Sequence, residues 1–366
     1  FDSPAKTRRD LRRALASGVR LNADNLEELE RIDRILAEVY GGGGPRGLGS
    51  CTSRSIGVRV NPQLGEGGIA ATGTVAPTSK FGVALAEARL QLLAAYRRYA
   101  WLSCVHVHVG SQGCPLDLLV EGAHAVLHLA KEINDHVGSR QVRVLDLGGG
   151  LPVDYASDAP DAAVPERLTM ARYAHALREK VPEAFDETRW TLLTEFGRFV
   201  HAKCGLMLST VEYVKSAGGR RIATVHCGAD LFLRTCYQPE AWPHRVSAWG
   251  ADGRFLDPDA AQCDTWDVVG PLCFRGDIIA AARQLPASLA AGCAIAVHDA
   301  GAYTLAMFSK YNSRLAPPVY GWSEGGGRIA KLSDAETVDE ALAMWQIPSR
   351  PACVLSSPHD PRCTPQ

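Results

Sequence analysis

Two hydrophobic rhythms alternate through the first half of the chain. Short β-branched runs predict strands at Val19–Ala23, Ser55–Asn61, Cys104–Val109, Val142–Leu147 and Trp190–Thr194. Between them apolar residues recur every three to four positions, the period of an amphipathic helix. Leu26, Leu29, Ile32, Leu36 and Val39 predict one such helix, with Asp24 as its cap and Glu27 three residues on. Further helices are expected at about Val83–Ala100 (Leu85, Leu92, Leu93, Tyr96), Leu116–Asn134 and Pro165–Lys180. Gly41–Gly44 reads as a loop or linker.

After about Phe199 the pattern changes. Leu206–Val214, Arg221–Cys227, Trp266–Val269 and Ala294–His298 are strand-like runs joined by Gly, Pro and Asp turns, with few helices between. That spacing predicts a mainly antiparallel sheet or barrel. The expected organisation is an α/β domain over residues 1–205, a β-rich domain over 206–346 and a poorly ordered tail, rich in Pro, Ser and Cys, over 347–366. Alternating strand and helix in the first domain predicts a parallel sheet. A (β/α)8 barrel needs eight strands. Five are clear here, and Phe1-Asp2-Ser3 reads as the end of a sixth. The barrel is therefore expected to lack its first two strands.

Composition narrows the classes. The chain has 366 residues, 46% hydrophobic and 22% charged, with net charge -1, which excludes disorder as the main state. Near-neutral charge gives no footprint for nucleic acid or an anionic membrane, and no run reaches the roughly 18 apolar residues of a spanning helix. The eleven cysteines include no Cys-x-x-Cys, so no zinc or redox motif is expected. Reduced, buried thiols fit a protein of the cytoplasm or an organellar stroma rather than a secreted one.

Candidate chemistry lies at the predicted strand ends, where barrel enzymes place their reactive groups. In Val105-His106-Val107-His108-Val109-Gly110-Ser111 both histidines fall on one side of the strand. His106 reads as a hydrogen-bonded core residue, while His108 precedes a glycine and a hydroxyl suited to an anion. No metal is expected, since two histidines at i,i+2 without a carboxylate or thiolate nearby make a poor site. Asp146-Leu147-Gly148-Gly149-Gly150 runs an apolar strand into three glycines, whose backbone can approach a phosphate closely; Gly325–Gly327 is a second triple without such context. Thr194-Glu195-Phe196-Gly197-Arg198 offers a carboxylate for a cofactor nitrogen and a planar cation for phosphate. Gly270-Pro271-Leu272-Cys273-Phe274-Arg275-Gly276-Asp277 adds a thiol and a carboxylate in the second domain.

The ordered set His-Val-Gly-Ser (108–111), Gly-Gly-Gly-x-Pro (148–152), Glu-x-Gly-Arg (195–198), Gly-Pro-x-Cys-x-x-x-Asp (270–277) and Gly-Ala-Tyr (301–303) resembles the fold-type III pyridoxal-phosphate decarboxylases. That group contains the ornithine, diaminopimelate and biosynthetic arginine decarboxylases, and the likeness runs from about Phe1 to Trp322, including Ser79-Lys80-Phe81-Gly82. It implies an alanine-racemase-type barrel, pyridoxal 5'-phosphate as cofactor and decarboxylation of an α-amino acid through an external aldimine. By similarity, His108 stacks on the pyridine ring, Ser111 and Arg198 bind phosphate, and Gly148, Gly149 and Gly150 cradle it with their N–H groups. Phe196 and Gly197 shape the same loop, with Phe196 standing where Pro is usual. Glu195 pairs with the pyridine nitrogen, Tyr303 contacts phosphate from the second domain, and Cys273 protonates the product carbanion. In the family that thiol comes from a partner subunit, so a head-to-tail homodimer is implied.

Departures bear on substrate and activity. Phe274 stands where relatives commonly carry an acid that reads the substrate's distal amine. Arg234 and Tyr237 lie near where diaminopimelate enzymes hold the distal carboxylate, one residue short of that spacing, and Asp277 is a second candidate for a distal amine. None of the eight lysines occupies the Schiff-base position at the first strand's end; Lys6 matches the third. The resemblance thus implies an N-terminally truncated chain, inactive by itself. Alternative readings are a non-catalytic homologue acting by partner binding, or an amino-acid racemase on the same barrel.

Overall fold

The structure, a computed structural model, describes residues 1–40, 55–164, 166–259, 261–323 and 327–345. Gly41–Gly44, the glycines at 325 and 326 and the tail at 347–366 lie outside the described residues. The chain divides into two compact units, one formed by Phe1–Leu206 with His298–Ala302, the other by Met207–Val297 with Tyr303–Gln366.

In the first unit α1 (Arg8–Ala16) opens on a capping box in which Thr7 and Asp10 satisfy each other's backbone N–H. There follow β1 (Leu21–Ala23), α2 (Leu26–Tyr40), β2 (Ile56–Asn61), β3 (Val83–Ala84) and α3 (Leu85–Arg98). The unit continues with β4 (Leu102–His106), α4 (Leu116–Val137), β5 (Val144–Asp146), α5 (Met170–Lys180), β6 (Thr191–Leu193) and α6 (Gly197–His201). All pairings are parallel and the sheet order is β1-β2-β4-β5-β6, with β3 on β2. Major strands thus sit side by side in chain order without reversal, as in a barrel wall and unlike a doubly wound sheet. Among the described residues the order is an open path with β1 and β6 at its ends. Phe1 shows no strand geometry, but its carbonyl accepts from Asn22 at 3.2 Å and its nitrogen donates to Arg20, so it lies along the free edge of β1.

Local chemistry places these elements. Val58, Val105 and Leu145 of neighbouring strands are fully buried with Ile32, Leu92, Val126, Leu129 and Ile133 of the covering helices. Helix α4 runs past its expected end to Gly138, whose left-handed φ of 73° closes it. The cap of α2 is corrected: Asn25 accepts from the Glu28 N–H at 2.9 Å. Asp24 instead turns inward to take the Gly82 N–H at 3.1 Å.

The second unit holds β7 (Met207–Ala217), β8 (Arg220–Val225), α7 (Leu233–Tyr237), β9 (Val246–Trp249), β10 (Phe255–Leu256), β11 (Cys263–Val269), β12 (Ile278–Pro286) and β13 (Ala294–Val297). Its sheet order is β10-β9-β13-β7-β8-β11-β12, antiparallel except where β8 meets β11. Gly218 and Gly219, both at positive φ, make the tight β7–β8 turn. A hairpin of β14 (Val319–Ser323) and β15 (Arg328–Ser333) and the short α8 (Val338–Ala343) complete it. No helix among the described residues is long and apolar enough to cross a membrane. The eight described cysteines are all free thiols.

Candidate active site

Three adjacent strand ends of the first unit carry the chemistry. Beyond β4, His108 has left the ladder, and its carbonyl accepts from the Thr74 hydroxyl. Its Nδ1 accepts from the Gly149 N–H at 2.9 Å, so the ring is the neutral tautomer with hydrogen on Nε2. Burial, then the charges of Arg59 and His106, push this histidine down to about 4. Beyond β6, the Glu195 N–H donates to the Gly148 carbonyl at 2.8 Å, locking the glycine turn to the next strand end.

The glycines are there because nothing larger fits. A Cβ on Gly149 would lie 2.7 Å from the Glu195 carbonyl oxygen and 3.1 Å from His108 Cε1. On Gly148 it would collide with the Val107 carbonyl, and on Gly150 it would lie 2.6 Å from Leu119 Cδ2. Their N–H groups, however, are not all turned to a ligand. Gly148 donates to Asp146 Oδ1 at 3.0 Å and Gly149 to His108. Among the described residues only the Gly150 N–H of the three makes no such bond. Of the three N–H groups expected to cradle phosphate, two here hold the shape of the turn itself.

Arg198 is buried in α6, at 4% exposure. Its Nε and Nη2 donate to Ser111 Oγ at 3.3 and 3.2 Å, and its Nη1 to the Tyr155 hydroxyl at 2.7 Å. Gly150 stands beside them, its absent Cβ 3.2 Å from the Gly110 carbonyl. A desolvated guanidinium with two hydroxyls on it is the kind of group that suits an anion. Phe196 contributes differently from expectation: its ring is buried edge-on against Tyr173, centroids 5.6 Å apart, so it anchors the loop to α5. Gly197 begins α6 with open space where a side chain would be.

Beside this rim lies a polar cluster around His106, the core histidine read from the sequence, whose partners motif reading missed. His106, fully buried, faces Asp2 through Nε2 at 3.1 Å and Asp146 through Nδ1 at 3.3 Å. Arg59 reaches Asp2 at 3.3 Å and Asn22 reaches Asp146 at 3.3 Å. Burial disfavours a charged His106, but hydrogen bonds to Asp146 and Asp2 overcome it and push it up to about 10. The only signal was Asn22, Arg59 and Asp146 standing as polar residues inside apolar strands. Glu195 brings a carboxylate atom within 4.8 Å of donor atoms of Asp2 and His106. Partial desolvation, with the charges of Asp146 and Asp2, raises the Glu195 carboxyl above its usual range.

In the second unit, Arg234 and Tyr237 ride on α7. The Arg234 guanidinium lies over the Tyr303 ring at 4.4 Å and the Trp242 ring at 5.3 Å. Tyr237 stacks on Phe274, centroids 5.0 Å apart. Cys273 is exposed between β11 and β12; its N–H donates to Asn312 Oδ1 at 3.0 Å and its carbonyl accepts from Tyr311 at 3.2 Å. Asp277, the second candidate for a distal amine, is held within its own loop. It is 3% exposed, and its carboxylate accepts from the Ala229 N–H at 2.6 Å and the Leu272 N–H at 2.7 Å. Gly228 and Gly270 pack directly on those oxygens. This carboxylate organises the thiol's loop.

Comparison with known proteins agrees with the rim chemistry. A family model described as "Pyridoxal-dependent decarboxylase, pyridoxal binding domain" matches residues 1–202. Diaminopimelate decarboxylase of Pseudomonas aeruginosa is 34% identical over 321 residues, covering 86% of this chain and 68% of that protein. The crystal structure of diaminopimelate decarboxylase from Helicobacter pylori, complexed with L-lysine, superposes with a TM-score of 0.74 at 25% identity, covering 93% of this chain and 77% of that one. The same enzyme from m. jannaschi shares the fold, at a TM-score of 0.77, 21% identity and coverages of 95% and 74%. A neutral imidazole, an acid and a buried arginine follow successive strands, and the family model and the relatives match this chain: it belongs to the pyridoxal-dependent decarboxylase family, whose cofactor is pyridoxal phosphate.

Proposed function

We propose that this chain binds pyridoxal phosphate at the ends of β4, β5 and β6 and serves decarboxylation of an α-amino acid of the diaminopimelate type. The observation that carries the reading is the buried Arg198 guanidinium with Ser111 and Tyr155 on it, an anion site next to the glycine turn that holds His108 and Glu195. When bound, the cofactor supplies a cationic ring that draws in the electron pair left as CO2 departs.

The chain's own residues do the rest. Arg198, Ser111 and the Gly150 N–H hold the phosphate. His108, kept neutral, presents its ring without adding positive charge. Glu195 holds a proton on the pyridine nitrogen, which makes the ring a stronger electron sink. Cys273, exposed on a loop braced by Asp277, returns a proton to the product in the site of a partner subunit, so the working unit is a head-to-tail homodimer. Tyr303 adds a phosphate contact, while Arg234 and Tyr237 receive the substrate's distal end. The diaminopimelate assignment draws on the named relatives. Lys6 is closed to covalent attachment by its 3.0 Å ion pair with Glu28.

Titration of the full chain with pyridoxal phosphate, followed by absorbance, tests this: binding should saturate and weaken in His108→Ala. A chain that takes up none would sink the reading. Equilibrium dialysis against diaminopimelate, ornithine and arginine then ranks the substrates, and a preference for ornithine would remove the diaminopimelate assignment.

A further inference from the structure

His106 is the best-enclosed titratable side chain near the rim, and the proposed chemistry leaves it without a task. Both of its ring nitrogens face oxygen acceptors. Nε2 is 3.1 Å from Asp2 Oδ2, and Nδ1 is 3.3 Å from both the Asp146 carboxylate and the Asp146 carbonyl. Ionised carboxylates and carbonyls only accept hydrogen bonds, so each nitrogen carries hydrogen and the ring is an imidazolium. Both acids are held in their charged forms by further donors: Asp2 by Arg59, Asp146 by Asn22 and the Gly148 N–H. Burial alone would raise the two carboxyls, but His106 with these partners holds both below the usual range.

Counting charge shows what this does for the rim. Around Glu195 the carboxylates of Asp2 and Asp146 are set against two cations, His106 and Arg59, while Lys6 acts on Asp2 as well. Without the imidazolium, only Arg59 of those two would be left against the carboxylates around Glu195. Like charges at such range raise one another's carboxyls, and the group with the weakest pairing takes the proton most readily. Asp2 and Asp146 have fixed donors, whereas no side-chain donor contacts the Glu195 carboxylate among the described residues.

We propose that His106 is a positioning residue for Glu195: it is the buried countercharge that keeps this carboxylate ionised between two others, ready to pair with the pyridine nitrogen. The inference rests on the cofactor reading above and deepens it. It also explains a division of labour along one strand end, where His106 is charged inside the network and His108, two residues on, is neutral against the glycine turn. An imidazolium has no lone pair, so the Asp2–His106–Glu195 grouping is not set up to ligate a metal.

The test uses the full chain carrying nitrogen-15 histidine and carboxyl carbon-13 glutamate, read by NMR. Both His106 nitrogens are expected to stay protonated from about pH 6 to about pH 9, far above an ordinary histidine. A neutral His106 ring at pH 7 overturns the proposal, however any variant folds. In His106→Gln, the Glu195 midpoint, assigned by its loss in Glu195→Gln, should rise by about one pH unit or more. Pyridoxal phosphate affinity should fall with it at pH values between the wild-type and variant midpoints, and should be regained above both. A merely structural histidine would leave that midpoint unmoved, and an unmoved midpoint in a folded variant overturns the proposal with cofactor binding intact. A midpoint that rises in a chain whose wild type binds no pyridoxal phosphate supports the charge coupling and sinks the cofactor reading instead.

Discussion

The Gly149 N–H donates to His108 Nδ1 across 2.9 Å, and this bond decides which face of the site is charged. A ring nitrogen that accepts a hydrogen bond carries no proton, so His108 meets a ligand as a neutral imidazole. The donor comes from the glycine turn after β5 and the acceptor from the end of β4, so two neighbouring strands of the sheet must be in register for the tautomer to be set.

Gly149→Ala should therefore do more than fill space. The added methyl would lie 2.7 Å from the Glu195 carbonyl and 3.1 Å from His108, both on parts of the site that have little room to move. A loss of about 1–3 kcal/mol is expected from overpacking, read by urea unfolding. Pyridoxal phosphate affinity should fall in the same variant. Wild-type values for both would mean that the turn is looser than its contacts indicate.

Opposite limbs of the pH–stability profile should belong to the two histidines. His106, raised to about 10 in the fold, contributes stability that is complete below its unfolded value near pH 6.5 and drains away as pH rises toward 10. His108, lowered to about 4, works the other way: its buried neutral ring is undisturbed above about pH 6.5 and costs stability as pH falls toward 4. The melting temperature should be highest near neutral pH. His106→Gln should flatten the alkaline limb and His108→Gln the acid limb; an alkaline limb unchanged by His106→Gln would contradict the ion network.

Replacing Arg198 with Met keeps its buried stem and removes the anion site. Pyridoxal phosphate should then bind at least about tenfold more weakly, the scale of one charge-assisted contact, while pyridoxal without its phosphate binds as to wild type. Calorimetry with both ligands separates the two cases. Equal losses for both would move the phosphate elsewhere.

Asp277→Asn tests the role of that carboxylate in its loop. One amide oxygen cannot accept both the Ala229 and Leu272 N–H groups as the carboxylate does, at 2.6 and 2.7 Å. An unsatisfied buried donor costs about 1–3 kcal/mol, so the second unit should lose about that much stability by urea unfolding. If Asp277 instead touched substrate, stability would hold and only substrate affinity would change.

The periodicity of the chain was enough to place β1, β2, β4, β5, β6 and the helices α2 to α5, because strands such as β2 and β4, buried along their whole length, read as short apolar runs while helices buried on one face repeat every three to four residues. It set their ends less well: β4 stops at His106, and Asn25 rather than Asp24 caps α2, since the Gly82 N–H that captures Asp24 arrives from far along the chain. Strands such as β9, β14 and β15 escaped notice, being short or polar runs whose pairing comes from sheet neighbours, and so did the longer β12, whose burial does not alternate.

What the sequence determined by itself was the set of reactive groups and their order, His108, the glycine turn, Glu195 and Arg198, because each follows an apolar strand that must end at the same rim. Only the tertiary structure decided what each group has left to give. Two of three glycine donors are consumed within the turn, Asp277 is spent on its loop, and Asp2, from the start of the chain, closes on His106 across 104 positions of sequence. Hydrogen-bond capacity and charge are shared among neighbours in space, and those neighbours are chosen by strand pairing rather than by spacing along the chain.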